Sequence, residues 1–253
     1  MCIEVLFEND AILVVNKPAG ILTQAARGVE SLELRVKSYL ARHRACSGEP
    51  NESNENIQAS DDLSSVYLGV PHRLDRPVSG VILFGKYSRA THRLSVQFEN
   101  REIDKTYWGI AEGVFDKESD TWIDYMRKIP DKPLAEIVQP INPDAREAIL
   151  NYKKLRQFDI DGKPFALLEI KLETGRMHQI RLQAKTHGHP ILGDATYNST
   201  HKFGDSFDNE RSREIALHAR SISFKEPLSK TQINLTAPLP KIWKPYTDSL
   251  QLE

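Results

Sequence analysis

One carboxylate in this chain lies in unusual company. In Pro71-His72-Arg73-Leu74-Asp75-Arg76-Pro77-Val78-Ser79-Gly80, Asp75 falls between two arginines, in a loop that joins two apolar segments. An Asp flanked by arginines can be no more than a surface ion pair, worth little. Its place between segments that read as buried strands opens a second reading. An aspartate held ionised by a buried guanidinium is a ready nucleophile or base.

Two further clusters carry chemistry. Glu173-Thr174-Gly175-Arg176-Met177-His178-Gln179-Ile180-Arg181-Leu182 reads as the start of a helix running from Thr174 to Gly188. On that helix Met177, Ile180 and Ala184 share one face, and His178 and Arg181 share another. Arg176 then falls in the first turn, where unpaired backbone N–H groups favour anions. A solvated polar face explains Arg176 taken alone. For His178, Gln179 and Arg181 together, the scarcity of acids after Glu173 points to a polyanion or carboxylate partner. The other cluster, Arg101-Glu102-Ile103-Asp104-Lys105-Thr106-Tyr107-Trp108, is a basic and aromatic run at a strand start. Tyr107 there is either a core ring or a platform on which a splayed-out base stacks.

Other chemistries lack their residues. Neither GxxxxGK[ST] nor GxGxxG occurs, and no GxSxG nucleophile elbow is present. His187-Gly188-His189 has no further Cys or carboxylate at metal-ligand spacing. No metal or organic cofactor is expected.

The elements that must hold these clusters follow from apolar patterning. Residues 3–16 read as two short strands around Glu8-Asn9-Asp10, and Lys17-Pro18-Ala19-Gly20 as a turn. A helix is predicted over 31–43, with Leu32, Val36, Tyr39 and Leu40 as its stripe. Strands are predicted at 66–70 and 80–86, a helix at 88–100, and strands at 103–112, 148–158 and 165–172. The helix from Thr174 follows, and strands at 215–225 and 231–236 close the chain. With many strands, few helices and no βαβ alternation, the class is α+β.

Composition sets the wider limits. The chain has 253 residues, 40% hydrophobic and 27% charged, which excludes a mostly disordered protein. No apolar run is long enough to span a bilayer as a helix, and no secretory signal is visible at the start. Two cysteines, Cys2 and Cys46, cannot build a disulfide framework, and a cytoplasmic location is expected. Net charge is −1, which alone argues weakly against nucleic acid. Residues 45–65, however, carry five acids and no Lys or Arg, so the remainder stands at +4, that is −1 less −5. Phosphates respond to the local field, so a basic patch stays open. The acidic stretch holds one Ile and one Leu and reads as a mobile surface insertion within a single domain spanning 1–253.

Taken together, the clusters resemble the RluA-type pseudouridine synthases. HRLDRPVSG (72–80) is similar to the family's HRLDxxTSG signature, and REIDKTYWGI (101–110) to its R-x-x-x-K-T-Y segment. LETGRMHQIRLQAKTHGHPILGDATY (172–197) resembles its G-R-x-H-Q-I-R … G-x-P-I-x-G-D stretch. VLFENDAILVVNKPAGILTQ (5–24) and LHARSISF (217–224) match its opening and late strands, all in family order. The resemblance implies cofactor-free isomerisation of uridine to pseudouridine in RNA (ribosomal or transfer). It also implies a mixed, mainly antiparallel central sheet with flanking helices and a central cleft. It carries the catalytic aspartate onto Asp75, the base-stacking, proton-handling tyrosine onto Tyr107, and the carboxylate's basic partner onto Arg181. Arg73 matches the arginine linked to displacing the target base. Lys105, Arg176, His178, Gln179 and Leu182 join it as expected substrate contacts.

Val78 departs from the family Thr, losing a hydroxyl while nearly keeping the shape. No S4-like RNA-binding segment precedes the first strand, so target choice is expected to come from the catalytic domain, its insertions or a partner. A monomer is expected. Two other functions fit parts of the pattern: a non-catalytic RNA-binding protein on the same fold, or a nucleoside or glycoside hydrolase acting through Asp75. The hydrolase normally needs a second carboxylate. The matched motifs offer only Glu173 and Asp194, which spacing does not place.

Overall fold

The computed structural model describes residues 3–26, 28–46, 63–204 and 213–247. Most of the acidic stretch expected to be mobile, residues 47–62, lies outside the described residues. In chain order the elements are β1 (Glu4–Glu8), β2 (Ile12–Lys17), α1 (Leu32–Cys46), β3 (Ser79–Gly85), α2 (Ser88–Glu99) and β4 (Asp104–Glu112). Then follow β5 (Ser119–Lys128), β6 (Ala135–Ile137), β7 (Arg146–Ile160), β8 (Lys163–Leu172), α3 (Gln179–Thr186), β9 (Leu217–Lys225), β10 (Gln232–Thr236) and α4 (Lys244–Thr247).

The strands form one sheet in the order β1-β2-β3-β9-β4-β8-β7-β5-β6, with β10 also pairing β9. Every pairing is antiparallel except β3 with β9, so the sheet is mixed and mainly antiparallel as expected. The runs Ile12-Leu13-Val14-Val15 and Val81-Ile82-Leu83-Phe84 do not alternate because both faces of the sheet are covered there. Helix α1 lays Leu32, Val36 and Leu40 on this region, and α2 adds Ala90 and Leu94. No helix among the described residues is long and apolar enough to cross a membrane.

Where β3 meets β9, Gly80 lies opposite Ala219 at φ +117. A Cβ on Gly80 would stand 2.3 Å from the Ala219 carbonyl oxygen. Only glycine lets the strand leaving the Asp75 loop join its parallel neighbour so closely.

Three expectations are corrected. Residues 66–70 are not a strand; only Gly69 bridges, to Gly85. Gly69 is pressed against Thr91, and Pro71 just beyond it has no N–H to continue a ladder. The helix predicted from Thr174 begins at Gln179, because His178 takes a left-handed backbone (φ 53) that a right-handed helix cannot pass through. Arg176 therefore lies in an irregular loop, not in a helical first turn. Finally, β5 and β6 were not anticipated. In β5 the buried Trp122 and Met126 are separated by Asp124, and the outward Ile123 is 58% exposed, so the apolar pattern is scrambled.

The loop between Pro71 and β3 is fastened along its backbone. Thr23 Oγ1 donates to Leu74 O (2.9 Å) and accepts from Leu74 N (3.1 Å). Gly20 N donates to Arg76 O at 2.8 Å, and Ile215 N donates to Pro77 O at 3.3 Å. His72 Nε2 accepts the Leu83 N–H at 2.9 Å and stacks on Phe98. Burial, helped by Lys105, draws the His72 pKa down to about 3, so the ring stays neutral and keeps accepting.

Lys17 completes the fastening. Its side chain is fully buried, and Nζ donates to the carbonyls of Pro18, Asp75, Arg76 and Val78 at 3.1, 3.2, 3.2 and 2.7 Å. Burial draws its pKa down to about 7 against the pull of the Asp75 charge. Lys17→Met should lower stability by about 2–3 kcal/mol, because the Val78 carbonyl loses its donor and the loop its anchor. Urea unfolding checks this; a midpoint equal to that of the unsubstituted protein would show that the loop is held without Lys17.

Candidate active site

Asp75 projects from this fastened loop into a cleft of about 2040 Å³. Tyr107 reaches the cleft from β4, where it pairs with Ala219 and Ile170 in the middle of the sheet. Arg181 reaches it from the first turn of α3. The three residues expected to be catalytic are thus brought together from three separate parts of the chain.

Arg181 is shared between two carboxylates. Its Nε and Nη2 donate to Asp194 Oδ2 and Oδ1 at 2.6 and 2.9 Å, a bidentate pair. The remaining arm, Nη1, donates to Asp75 Oδ2 at 3.1 Å. Asp194 is almost wholly buried, and Arg181 is 5% exposed while Asp75 is 30% exposed. Burial alone would lower the guanidinium pKa, but the hydrogen bonds and charge of Asp194, then those of Asp75, raise it overall, so Arg181 stays a cation. Asp194 positions Arg181, and Arg181 in turn holds one oxygen of Asp75. Among the described residues a hydrogen bond is seen to Asp75 Oδ2 and none to Oδ1.

Tyr107 is buried, and burial first, then the Asp75 charge, pushes its phenol well above the ordinary tyrosine range. It is a neutral ring that keeps its phenol proton. Tyr197 lies under Arg181, the guanidinium carbon 5.1 Å from the ring centre, and its hydroxyl is 2.8 Å from His178 Nδ1. His178 Nε2 lies 3.7 Å from Asp75 Oδ2.

The other expected contacts divide. Arg73, Lys105 and Arg176 line the cleft, Arg176 steadied by donating to Glu147 O at 2.9 Å. Gln179 also borders it, but its amide is engaged within the protein. Its Oε1 accepts from Thr174 and from Arg176 N, and its Nε2 donates to Ile149 O and Gln183. Leu182 does not line the cleft; it packs with Met126, Ala135, Ala148 and Tyr197. Val78 is buried in the core and contributes its carbonyl to Lys17.

Sequence reasoning missed the parts played by Lys17, Thr23, Asp194 and Tyr197, although all four lie within the resembling segments; Asp194 was weighed there only as a second acid. Glu173 accepts from Asn151 at 2.8 Å, and Asp194 is locked to Arg181, so neither stands free as the second acid of a hydrolase. His187 stacks on Trp122 and contacts Asp124, while His189 Nδ1 meets Glu112 O, so both are held by protein partners. Among the described residues no group of three or more His, Cys, Asp or Glu is placed to hold a metal.

The cleft is basic although the chain is not. Nine Lys and Arg line it against six Asp and Glu, among them Arg101, Lys128, Lys132 and Arg213. A positive, partly aromatic groove with a fixed carboxylate at its floor suits a polyanion carrying a base to be reached.

Comparison with known proteins agrees. A family model described as RNA pseudouridylate synthase matches residues 11–186. The tRNA pseudouridine synthase C of Pasteurella multocida is 29% identical over 250 residues, 96% of this chain and 94% of that protein. The tRNA pseudouridine synthase C of Vibrio vulnificus is 28% identical over 252 residues, 96% and 93% of the two chains. In fold, human RNA pseudouridylate synthase domain containing 4 superposes with a TM-score of 0.70 at 21% identity, covering 99% of this chain and 94% of that one. The matched residues take in the Asp75 loop, Tyr107 and Arg181, and with them this chain belongs to the RNA pseudouridylate synthases, as an RluA-type enzyme that isomerises uridine in RNA to pseudouridine.

Proposed function

We propose that Asp75 is the reacting group and that the substrate is transfer RNA. One observation carries the first part: Asp75 lines the cleft, Arg181 pins its Oδ2, and among the described residues no hydrogen bond engages Oδ1. The isomerisation breaks the N1–C1′ bond, turns the uracil, and forms a C5–C1′ bond. N1 gains a proton and C5 loses one. No redox change occurs, and no cofactor is invoked. Asp75 acts at the C1′–C2′ edge of the ribose. Tyr107 stacks on the uracil and stays neutral while the base is detached. Since a paired uridine is out of reach, the nucleotide is flipped into the cleft. Arg73 and Arg176 hold the phosphates or the space the base vacates. Lys105, partly buried and lowered in pKa by that burial, lies deeper in the same cleft.

Transfer RNA is supported by the relatives, two of which carry that substrate in their names over nearly the whole of both chains. Residues 1–253 act as one catalytic unit, a cytoplasmic monomer, in this reading. Its support is the sequence: two cysteines, and motifs that span nearly the full chain.

Asp75→Asn should lower the single-turnover rate of tritium release from 5-³H-uridine tRNA by at least about 10³-fold while RNA affinity changes little. Tyr107→Phe keeps the ring and should bind RNA normally but turn over slowly. Release at the unsubstituted rate from Asp75→Asn would remove Asp75 from the mechanism. Loss of pseudouridine from ribosomal rather than transfer RNA in cells lacking the protein would overturn the substrate assignment. Binding should also weaken roughly 20–40-fold between 50 and 200 mM salt if three phosphates are neutralised. Salt-independent binding would contradict the basic-cleft reading.

A further inference from the structure

His178 is a half-buried histidine held at a costly backbone angle beside the reacting carboxylate. Its φ of 53 lies in the left-handed region, which non-glycine residues adopt uncommonly. Its side chain is 13% exposed, wedged between Asp75 and Tyr197. Burial lowers its pKa; the Asp75 charge opposes this and the Arg181 charge reinforces it, so the neutral ring is favoured. A neutral imidazole has one N–H and one acceptor nitrogen, and the neighbours decide which is which.

Here the neighbours set the direction. Ala135 N–H points at the Tyr197 hydroxyl oxygen at 3.4 Å, so that oxygen accepts from the backbone of β6. The hydroxyl proton can then be given to His178 Nδ1, 2.8 Å away, the pairing that also leaves that proton partnered. With Nδ1 accepting, the imidazole proton resides on Nε2, the nitrogen that faces Asp75 Oδ2 at 3.7 Å. That separation is just beyond a hydrogen bond, and contacts of this kind often tighten only when substrate is bound.

We propose that His178 is a positioning residue for Asp75: its Nε2–H, aimed by the Tyr197 hydroxyl, closes onto Asp75 Oδ2 when RNA fills the cleft and, with Arg181, fixes that oxygen so that Oδ1 meets the ribose. The inference rests on Asp75 being the reacting group. It assigns Tyr197 two tasks, supporting Arg181 with its ring and setting the His178 tautomer with its hydroxyl.

The test compares His178→Gln with His178→Asn in single-turnover tritium release at saturating tRNA, with Asp75→Asn as reference. Gln carries an N–H about as far from the backbone as imidazole Nε2. Asn is the residue most at ease in a left-handed backbone but ends short of Asp75. The expected result is that Asn turns over about 10–100-fold more slowly than the unsubstituted enzyme, at unchanged RNA affinity, and that Gln recovers at least about tenfold of that loss. A purely structural role reverses the order, because Asn suits the backbone better. Equal rates for Asn and Gln, or a faster Asn, overturn the proposal.

If Gln does not fold, ¹⁵N NMR of the His178 ring decides. The Nε2–H tautomer is expected in the unsubstituted protein and a mixture in Tyr197→Phe; an Nδ1–H tautomer in the unsubstituted protein overturns it. Should Asp75→Asn itself remain active, the assignment of Asp75 fails instead, and the two failures are told apart.

Discussion

A carboxylate that is to meet a substrate in a cleft has to be kept still and aimed, and here one guanidinium does both. Arg181 spends two of its donors on Asp194 and one on Asp75. The bidentate side, almost without solvent, fixes the plane of the group. The single contact then delivers charge and direction to the carboxylate exposed to the cleft. Asp194 is not a spare acid but the reason that Arg181 points where it does. Tyr197 closes the other side of the guanidinium with its ring. A buried ion pair is not evidence of stability in itself; in this protein its use is geometric.

The carboxylate is held equally firmly from behind. Carbonyls from Leu74 to Val78 all accept hydrogen bonds, from Thr23, Lys17, Gly20, Val78 and Ile215. A loop with its backbone so fully engaged does not wander, although it has no helix or strand to define it. Lys17 shows how this is achieved. It ends the first buried hairpin, and its ammonium replaces water for a turn that is otherwise sealed in. The β3–β9 parallel contact at Gly80 fixes where that loop hands the chain back to the sheet. Tyr107 comes from strand β4, next to β9, so its distance from Asp75 is set by the sheet register.

Much of this was legible in the residues. Unbroken apolar runs marked β2, β3 and the start of β8, because burial on both faces leaves that signature. The resembling segments marked Asp75, Tyr107 and Arg181. What escaped reading shares a cause: it depends on partners far apart in the chain. Asp194 in isolation is an acid in a turn, and Lys17 a base beside a proline; only the fold turns one into a clamp and the other into a plug. The helix predicted from Thr174 failed at His178 because its strained backbone and the Gln179 side-chain bonds to Thr174 and Arg176 replace a helical turn. The β5–β6 hairpin went unseen because a polar residue, Asp124, occupies an inward position, bonded to Gln183 and His187. Leu182 reads as part of a substrate-facing motif, yet helical geometry turns it into the small core behind the cleft.

The central claim is that Arg181 works through its fork and not through its charge alone. Arg181→Lys keeps the charge but cannot pair with both oxygens of Asp194 and still reach Asp75. The most direct measurement is its single-turnover rate of tritium release from 5-³H-uridine tRNA at saturating RNA, beside RNA affinity and the unfolding midpoint. A rate at least about 100-fold below that of the unsubstituted enzyme, with the variant folded and RNA bound normally, is the result predicted here. A folded Arg181→Lys enzyme within about threefold of the unsubstituted rate would show that any nearby cation suffices, and would contradict the account.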